Sequence, residues 1–171
     1  EINEKKCSGR VEELEKILFK TPSNGNIGIG HVRWATHGAP NVVNAHPHSS
    51  EKVSVVHNGI IENSDEIKKD LEKKGLQFKS QTDTEVITLL LTEALKENQP
   101  LDSVFETLGK LKGSFALGII FKDFSDIIIG ARRGSPLAVG FSKDENYLGS
   151  DSYALKSMTN KISYLDDGEV C

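Results

Sequence analysis

Residues 28–59 read GIGHVRWATHGAPNVVNAHPHSSEKVSVVHNG, and the rest of the chain is organised around this stretch. It contains all five histidines of the protein and its only tryptophan. Apolar runs at residues 27–32 and 53–56 flank a segment rich in proline, asparagine and histidine. Rigid strands that deliver polar side chains to a loop are typical of a functional site. We therefore expect the functional residues here, with one later contribution from residues 82–85.

The composition is that of a soluble globular protein. The chain has 171 residues, of which 37% are hydrophobic and 27% charged, and this suffices for one domain with a buried core. The net charge of −4 provides no basic field for nucleic acid or anionic lipid, and no apolar run reaches the ~20 residues of a membrane helix. We expect neither nucleic acid nor a membrane as a partner. Two cysteines without disulfide spacing, and a charged start, predict a cytoplasmic protein.

The ends of the sequence predict a piece of a longer chain. The sequence does not begin with Met, and it stops just after Asp166-Asp167-Gly168, which is typical of a turn into another strand. We therefore expect a domain that is truncated at both ends.

Apolar spacing predicts helices at residues 8–19, 63–75, 82–96 and 101–111. Ser8 is the expected cap of the first helix. The second and third helices begin with capping-box spacing, at Asn63 with Glu66 and at Thr82 with Glu85. The third is apolar on nearly all sides, which predicts burial. The fourth helix has its apolar face at residues 101, 104, 105, 108 and 111.

Strands are predicted at residues 27–34, 53–57, 114–121, 126–131, 137–141, 147–149 and 162–165. Gly28 and Gly30 suggest close approach of a neighbouring backbone to the first strand. Asn58-Gly59 is expected to form a strand-to-loop corner that leaves a backbone N–H pointing at a ligand. The later strands suit an antiparallel meander. The element order argues for an α+β fold with helices packed on antiparallel sheets.

Two common kinds of site are disfavoured. Five histidines and the His46-Pro47-His48 pair invite a zinc site, but HExxH is absent and Glu51 is the one acidic residue nearby. We expect no metal, and we interpret His31, His48 and His57 as hydrogen-bonded structural histidines. A hydrolase triad lacks the GxSxG motif. Cys7 is interpreted as a solvent-exposed helix-cap residue.

Four residues together form the complement of a small amino acid. The planar guanidinium of Arg33 matches a carboxylate in bidentate fashion, and Asp83 offers a carboxylate for an ammonium group. Asn58 supplies a side-chain amide beside the backbone N–H of Gly59, which is the donor pair that an oxyanion needs. The set predicts an amino acid whose acyl group is attacked.

Several motifs resemble the glutaminase domain of class II glutamine amidotransferases. They are RWATHG at residues 33–38, NAHPH at 44–48, HNGIIEN at 57–63 and TDTE at 82–85, with RGSPL at 133–137 and similar residues at 150–155. The resemblance spans residues 1–171 in order. The combination of RWATHG and NAHPH is closest to the isomerizing glutamine–fructose-6-phosphate aminotransferases, which are also called glucosamine-6-phosphate synthases.

The resemblance implies the four-layer αββα sandwich of the N-terminal nucleophile hydrolases. It implies an enzyme of amino-sugar biosynthesis that hydrolyses L-glutamine and transfers the ammonia to fructose 6-phosphate, which binds to a sugar isomerase domain outside this chain. No cofactor is implied, and the full-length enzyme is expected to be a homo-oligomer.

The resemblance also assigns roles to individual residues. It places the glutamine α-carboxylate on Arg33 with Thr36 and His37, and the α-amino group on Asp83 and Gly59. Asn58 and the Gly59 N–H form the oxyanion hole. Two further residues belong to the loop region that closes over glutamine; these are Trp34 and His46.

The sequence departs from the family at the nucleophile. The family uses a cysteine that becomes the first residue, inside a Cys-Gly-Ile-Val-Gly strand, and Cys7 does not match that context. We therefore expect this chain by itself to be inactive. One alternative is a non-catalytic module that binds glutamine or glutamate. Another is the glutaminase domain of a different class II amidotransferase, of the amidophosphoribosyltransferase or asparagine synthetase type.

Overall fold

A computed structural model describes residues 1–33 and 38–171. Its elements are α1 (Val11–Lys20), β1 (His48–Ser49), β2 (Val53–Ile61), α2 (Ser64–Lys73), α3 (Thr84–Ala94), α4 (Pro100–Lys110), β3 (Gly113–Phe121), β4 (Phe124–Arg133), β5 (Ala138–Phe141), β6 (Asn146–Gly149), α5 (Ser152–Leu155) and β7 (Lys161–Tyr164). Within this part of the chain, no helix has the length and apolar character needed to cross a membrane.

The strands form two antiparallel sheets, as predicted, but not one meander. The first sheet has the order β1-β2-β3-β4, and the second has the order β6-β5-β7. The strand order of the second sheet is not sequential, and the short helix α5, which the sequence pattern did not predict, lies between β6 and β7 in the chain. β7 pairs with the edge of β5 that faces away from β6, where Val139 lies opposite Ser163.

The layers follow from the two faces of β3. Phe115 and Leu117 point towards the helices and belong to the main core, which α3 fills against β2 and between α2 and α4. Ala116 points the other way and packs with Leu137 and Leu165 beneath the second sheet. Because α5 packs on β5 and β6, the order of layers is helices, sheet, sheet, helix.

The helices form where predicted, with different ends and faces. Gly9 has φ +105°, so α1 begins after Arg10 rather than at Ser8. The capping-box prediction is wrong for α2 and α3, for which no side-chain cap is formed among the described residues. The Asn63 amide instead binds the backbone of residues 110 and 112, at 2.9 and 2.8 Å. This tertiary contact replaces the local one.

Two other helix predictions have mixed outcomes. Gly75 ends α2 as expected: its N–H donates to Glu72 O at 2.9 Å, and the Leu76 N–H donates to Leu71 O at 3.1 Å. The apolar face that was predicted for the fourth helix is wrong at two positions. In α4 the buried residues include Val104 and Leu108, whereas the neighbouring Leu101 and Phe105 are exposed.

The strand predicted at residues 27–34 is wrong over its described part. Residues 27–33 have no strand assignment, and their burial alternates between half-buried and exposed. The segment crosses the face of the first sheet near Gly118, which Ile29 approaches, rather than pairing along an edge. The predicted close approach at Gly28 and Gly30 is also wrong, because a Cβ at either position would meet nothing within 4 Å.

Asn58-Gly59 is not a strand-to-loop corner. β2 runs through it to Ile61, with Asn58 opposite Ala116 and Gly59 opposite Phe115. Gly59 makes this continuation feasible, since it has φ +134° and a Cβ there would lie 2.1 Å from Ser114 O.

Candidate active site

A cleft of about 330 Å³ lies at the edge of the first sheet. β1 pairs with Ser54 and Val55, and beyond them this edge of β2 pairs with no strand in the described chain. Loops on either side of the edge complete the walls. The described residues that line the cleft are His31, Arg33, His46, His57, Asn58, Gly59, Ile60, Thr82, Asp83, Thr84 and Ser114.

The backbone N–H of Gly59 points towards this open edge. The Glu62 N–H donates to Lys112 O on the β3 side at 2.9 Å, whereas the Ile61 N–H donates to Asp83 Oδ2 on the opposite side at 2.8 Å. N–H groups two residues apart in an antiparallel strand point to the same edge. The Gly59 N–H therefore points to the same side as that of Ile61, where the cleft lies.

The Asn58 side chain is solvent-accessible and lines the cleft. Its Oδ1 lies 2.8 Å from His31 Nε2, which places the amide NH2 away from the histidine. Asn58 and Gly59 therefore present a side-chain N–H and a backbone N–H from adjacent positions, which is the arrangement that stabilises a developing oxyanion.

The guanidinium of Arg33 lines the same cleft and is engaged by its own loop. Its Nη1 donates to Ala39 O at 2.9 Å and its Nη2 to Gly38 O at 3.1 Å. These bonds hold the cation beside the cleft. Because a guanidinium carries five N–H donors in one plane, it can serve backbone carbonyls and a ligand carboxylate together.

Asp83 brings a buried carboxylate to the cleft wall. It occupies the N-cap position of α3, but its Oδ2 accepts the Ile61 N–H rather than a helix N–H. This contact fixes the carboxylate against β2. Among the described residues, the cleft thus combines one cationic group, one anionic group and a pair of neutral donors, which suits a zwitterionic amino acid.

Three of the described histidines, His31, His46 and His57, line the cleft, and His48 lies beside them. The rings of His31 and His46 lie 4.2 Å apart between centroids. The Thr84 hydroxyl contacts two histidine rings: it lies 3.0 Å from His46 Nε2 and 3.0 Å from His57 Nδ1. His48 Nε2 lies 2.9 Å from the Thr82 hydroxyl. These contacts agree with the predicted hydrogen-bonded roles of His31, His48 and His57.

Burial keeps His31, His46 and His48 neutral at physiological pH. Burial lowers the pKa of His46 to about 2, and the neighbouring histidines add to the shift. Burial also lowers the pKa of His48 to about 4, with Lys6 adding to the shift and Glu85 opposing it. The pKa of His31 is lowered by burial as well, against the opposing effect of its hydrogen bond to Asn58.

Five of the eight predicted site residues meet in this cleft. They are Arg33, His46, Asn58, Gly59 and Asp83. The other three, Trp34, Thr36 and His37, lie outside the described residues. Within the described part of the chain, no group of three or more His, Cys, Asp or Glu side chains could hold a metal ion. The individual roles of the eight residues stay predictions.

Sequence reasoning missed the polar residues that support the cleft. The buried Asn44 side chain donates to Ala39 O at 3.0 Å and accepts the Gln81 N–H at 2.9 Å, which ties the two loops together. The Glu85 carboxylate accepts the N–H groups of Lys79 and Ser80 at 2.8 and 2.6 Å. The signal for these roles is weak, because buried amides and carboxylates look like surface residues in a single sequence.

Cys7 is not a helix cap. It is half-buried, and it lines a second cavity of about 460 Å³ together with His31, Arg33 and His46. The cap prediction failed because the Gly9 backbone delays the start of α1 to Val11.

Comparisons with known proteins agree with the resemblance. The model of the glutamine amidotransferase domain family matches residues 40–157. Relatives named glutamine–fructose-6-phosphate aminotransferase [isomerizing] are similar over nearly the whole chain. Those from Zymomonas mobilis subsp. mobilis and Bradyrhizobium diazoefficiens are each 50% identical over 169 residues, which are 98% of this chain and 28% of the relative. The one from Gluconobacter oxydans is 46% identical over 172 residues, with 100% and 28% covered. The chain therefore spans about 28% of the length of these relatives.

Two solved structures share the fold. The glutamine phosphoribosylpyrophosphate amidotransferase from B. subtilis, complexed with ADP and GMP, is 27% identical with a TM-score of 0.67. A structure described as the allosteric regulatory enzyme of purine biosynthesis is 27% identical with a TM-score of 0.68. Each match covers 82% of this chain and 31% of the other.

These findings confirm the predicted α+β sandwich of the N-terminal nucleophile hydrolase type. The amidotransferase motifs occur in one folded unit, and the family match covers more than half of the sequence. The chain belongs to the glutamine amidotransferase domain family.

Proposed function

We propose that this chain is the glutaminase part of an isomerizing glutamine–fructose-6-phosphate aminotransferase. The whole enzyme hydrolyses L-glutamine and transfers the ammonia to fructose 6-phosphate, which gives glucosamine 6-phosphate. The observation that carries the proposal is the cleft in which Arg33, Asp83 and the Asn58-Gly59 pair meet. Relatives at about 50% identity carry this name, whereas the phosphoribosylpyrophosphate amidotransferase is 27% identical. The aminotransferase is therefore favoured over the other class II enzymes.

The proposed binding mode uses the charges of the cleft. The Arg33 guanidinium binds the α-carboxylate of glutamine, with help from Thr36 and His37. The Asp83 carboxylate binds the α-ammonium group. These two contacts direct the side-chain amide of glutamine towards Asn58 and Gly59, while Trp34 and His46 belong to the region that closes over the substrate.

The proposed chemistry is nucleophilic acyl transfer. A cysteine thiolate, provided by neither Cys7 nor Cys171, attacks the amide carbon and forms a C–S bond, and the carbonyl oxygen becomes an oxyanion. The Asn58 NH2 and the Gly59 N–H donate to that oxygen. The C–N bond then breaks as the nitrogen takes a proton and leaves as ammonia. Water hydrolyses the remaining thioester to glutamate and restores the thiol.

Other features of the whole protein are part of the proposal. Fructose 6-phosphate binds to a sugar isomerase domain outside residues 1–171. The full-length protein is a cytoplasmic homo-oligomer whose partners are neither nucleic acid nor a membrane. The polypeptide of residues 1–171 alone does not hydrolyse glutamine.

The test uses the natural polypeptide that contains this sequence. We expect it to release glutamate from glutamine and to form glucosamine 6-phosphate when fructose 6-phosphate is added. Arg33→Ala should raise KM for glutamine, because it removes a contact present in the ground state. Asn58→Ala should lower kcat by about 10²- to 10³-fold with little change in KM. Lys143→Ala, which removes an exposed charge outside the cleft, is the control.

The outcomes separate the alternatives. Glutamine binding that depends on Arg33 and Asp83 but occurs without hydrolysis would favour the non-catalytic binding module. Hydrolysis without transfer to fructose 6-phosphate would favour a different class II amidotransferase. Hydrolysis by residues 1–171 that is abolished by Cys7→Ser would overturn the proposal that this polypeptide alone is inactive.

A further inference from the structure

His31 stands out because its imidazole contacts a proposed catalytic group from the opposite wall of the cleft. Its Nε2 lies 2.8 Å from Asn58 Oδ1, although the two residues are 27 positions apart. The contact joins segment 27–33, which belongs to no strand, to β2. The proposed function uses the Asn58 amide but assigns nothing to the group that orients it.

The hydrogen on the imidazole determines which end of the Asn58 amide faces the cleft. The side-chain oxygen of an asparagine amide can only accept a hydrogen bond. The 2.8 Å contact between His31 Nε2 and Asn58 Oδ1 therefore places the ring hydrogen on Nε2. The Nε2–H then donates to Asn58 Oδ1, and the Asn58 NH2 is left for the cleft. The opposite amide orientation would present a carbonyl oxygen, which would repel an oxyanion.

The His31 ring is itself held in place by a second imidazole. His31 stacks on His46 with ring centroids 4.2 Å apart and planes inclined at 35°, and His46 Nε2 lies 3.0 Å from the Thr84 hydroxyl of α3. The chain of contacts therefore runs from α3 through two imidazoles to Asn58. A side chain supported in this way keeps its hydrogen bond in one direction.

We infer that His31 is a positioning residue, whose Nε2–H fixes the Asn58 amide so that its NH2 faces the carbonyl oxygen of bound glutamine. This inference rests on the proposed function. Because an oxyanion exists only along the reaction path, misorienting the Asn58 amide should reduce kcat and leave KM nearly unchanged.

The test is a set of variants in the natural polypeptide, measured for glutamine hydrolysis. His31→Phe keeps an aromatic ring on His46 but removes the N–H donor, and we expect kcat to fall roughly 10- to 100-fold with KM within about twofold. His31→Gln retains an N–H donor at a similar reach, so we expect it to recover most of the lost kcat. In the Asn58→Ala background, His31→Phe should cause no further loss, because it acts through Asn58.

Each outcome has a separate meaning. Equal losses in His31→Phe and His31→Gln, or losses that multiply with that of Asn58→Ala, would overturn the positioning role and leave the proposed function intact. A wild-type protein without glutaminase activity would overturn the proposed function itself. Thermal melting of each variant checks that the comparison is made between folded proteins.

Discussion

At the scale of single residues, Gly59 shows how one backbone position serves both the sheet and the cleft. It keeps β2 paired with β3 at φ +134° while its N–H points to the open edge. The sequence made Asn58-Gly59 recognisable as a donor pair. It did not reveal that the pair lies inside a strand, because an Asn-Gly dipeptide is far commoner in turns.

The conformation of Gly59 leads to a stability prediction. Gly59→Ala should lower the free energy of unfolding by roughly 2–4 kcal/mol, since the new Cβ would lie 2.1 Å from Ser114 O at a φ that L-residues rarely adopt. Urea unfolding followed by far-UV circular dichroism measures the change. Gly28→Ala is the matched control and should be nearly neutral, because its Cβ would meet nothing within 4 Å. Equal effects of the two substitutions would contradict the prediction.

At the scale of elements, apolar periodicity predicted the helices and most strands because it reports burial directly. The helices α2, α3 and α4 and the strands β3 to β7 appear close to the expected positions. The segment 27–33 misled the same reasoning, since an apolar run shows that residues are partly buried but not which partner covers them. The short helix α5 carries too few residues to show a period.

The start of α3 also shows why the capping-box spacing in the sequence does not correspond to a helix cap in the structure. The Glu85 carboxylate accepts two backbone N–H groups and the Ser80 hydroxyl, at 2.6–2.8 Å. It closes the loop that carries Thr82 and Asp83 into the cleft. The same residue types can form a capping box or, as Glu85 does here, a clamp that closes a loop through hydrogen bonds. Only the fold decides between the two.

Glu85→Gln should therefore destabilise the protein by roughly 2–4 kcal/mol, because the substitution removes a charge from three hydrogen bonds and places an NH2 beside N–H donors. Equilibrium unfolding in urea measures the difference. Glu93→Gln in the same helix is the control. It removes a surface ion pair with Lys96 and should change stability by less than about 0.5 kcal/mol. A loss at Glu85 no larger than that at Glu93 would show that the clamp contributes little.

At the scale of the whole molecule, the cleft depends on loops that the fold gathers from three parts of the chain. The motifs predicted that Arg33, Asn58 and Asp83 face a ligand, and the structure brings all three residues to one cleft. The supporting residues Asn44 and Gln81 could not be predicted, because their function is to join each other across 37 positions. A single sequence contains no record of such pairs.

The free energy of unfolding of the whole molecule should depend on pH, and the buried histidines should cause part of this dependence at acidic pH. The pKa of His48 is about 4 in the folded chain and about 6.5 when unfolded. Between these values the unfolded state binds a proton that the folded state does not, so stability falls as the pH falls from about 6.5 to about 4. The loss attributable to His48 is roughly 3 kcal/mol.

The measurement is the free energy of unfolding of the wild type and of His48→Gln across pH 4–7. The variant keeps a polar partner for Thr82 but cannot titrate. The stability advantage of the wild type should therefore shrink as the pH is lowered through this window. An advantage that stays constant with pH would show that His48 does not titrate differently in the two states.

The shortness of β1 has a consequence for how the molecule behaves in a crowded solution. A bare strand edge offers its N–H and C=O groups as a template for another chain, which is a route to aggregation. In β2 the part of the edge beyond β1 is instead walled by the cleft residues, and Asp83 places a buried carboxylate on the Ile61 N–H. The residues that wall the cleft therefore also protect this strand edge against association with another chain.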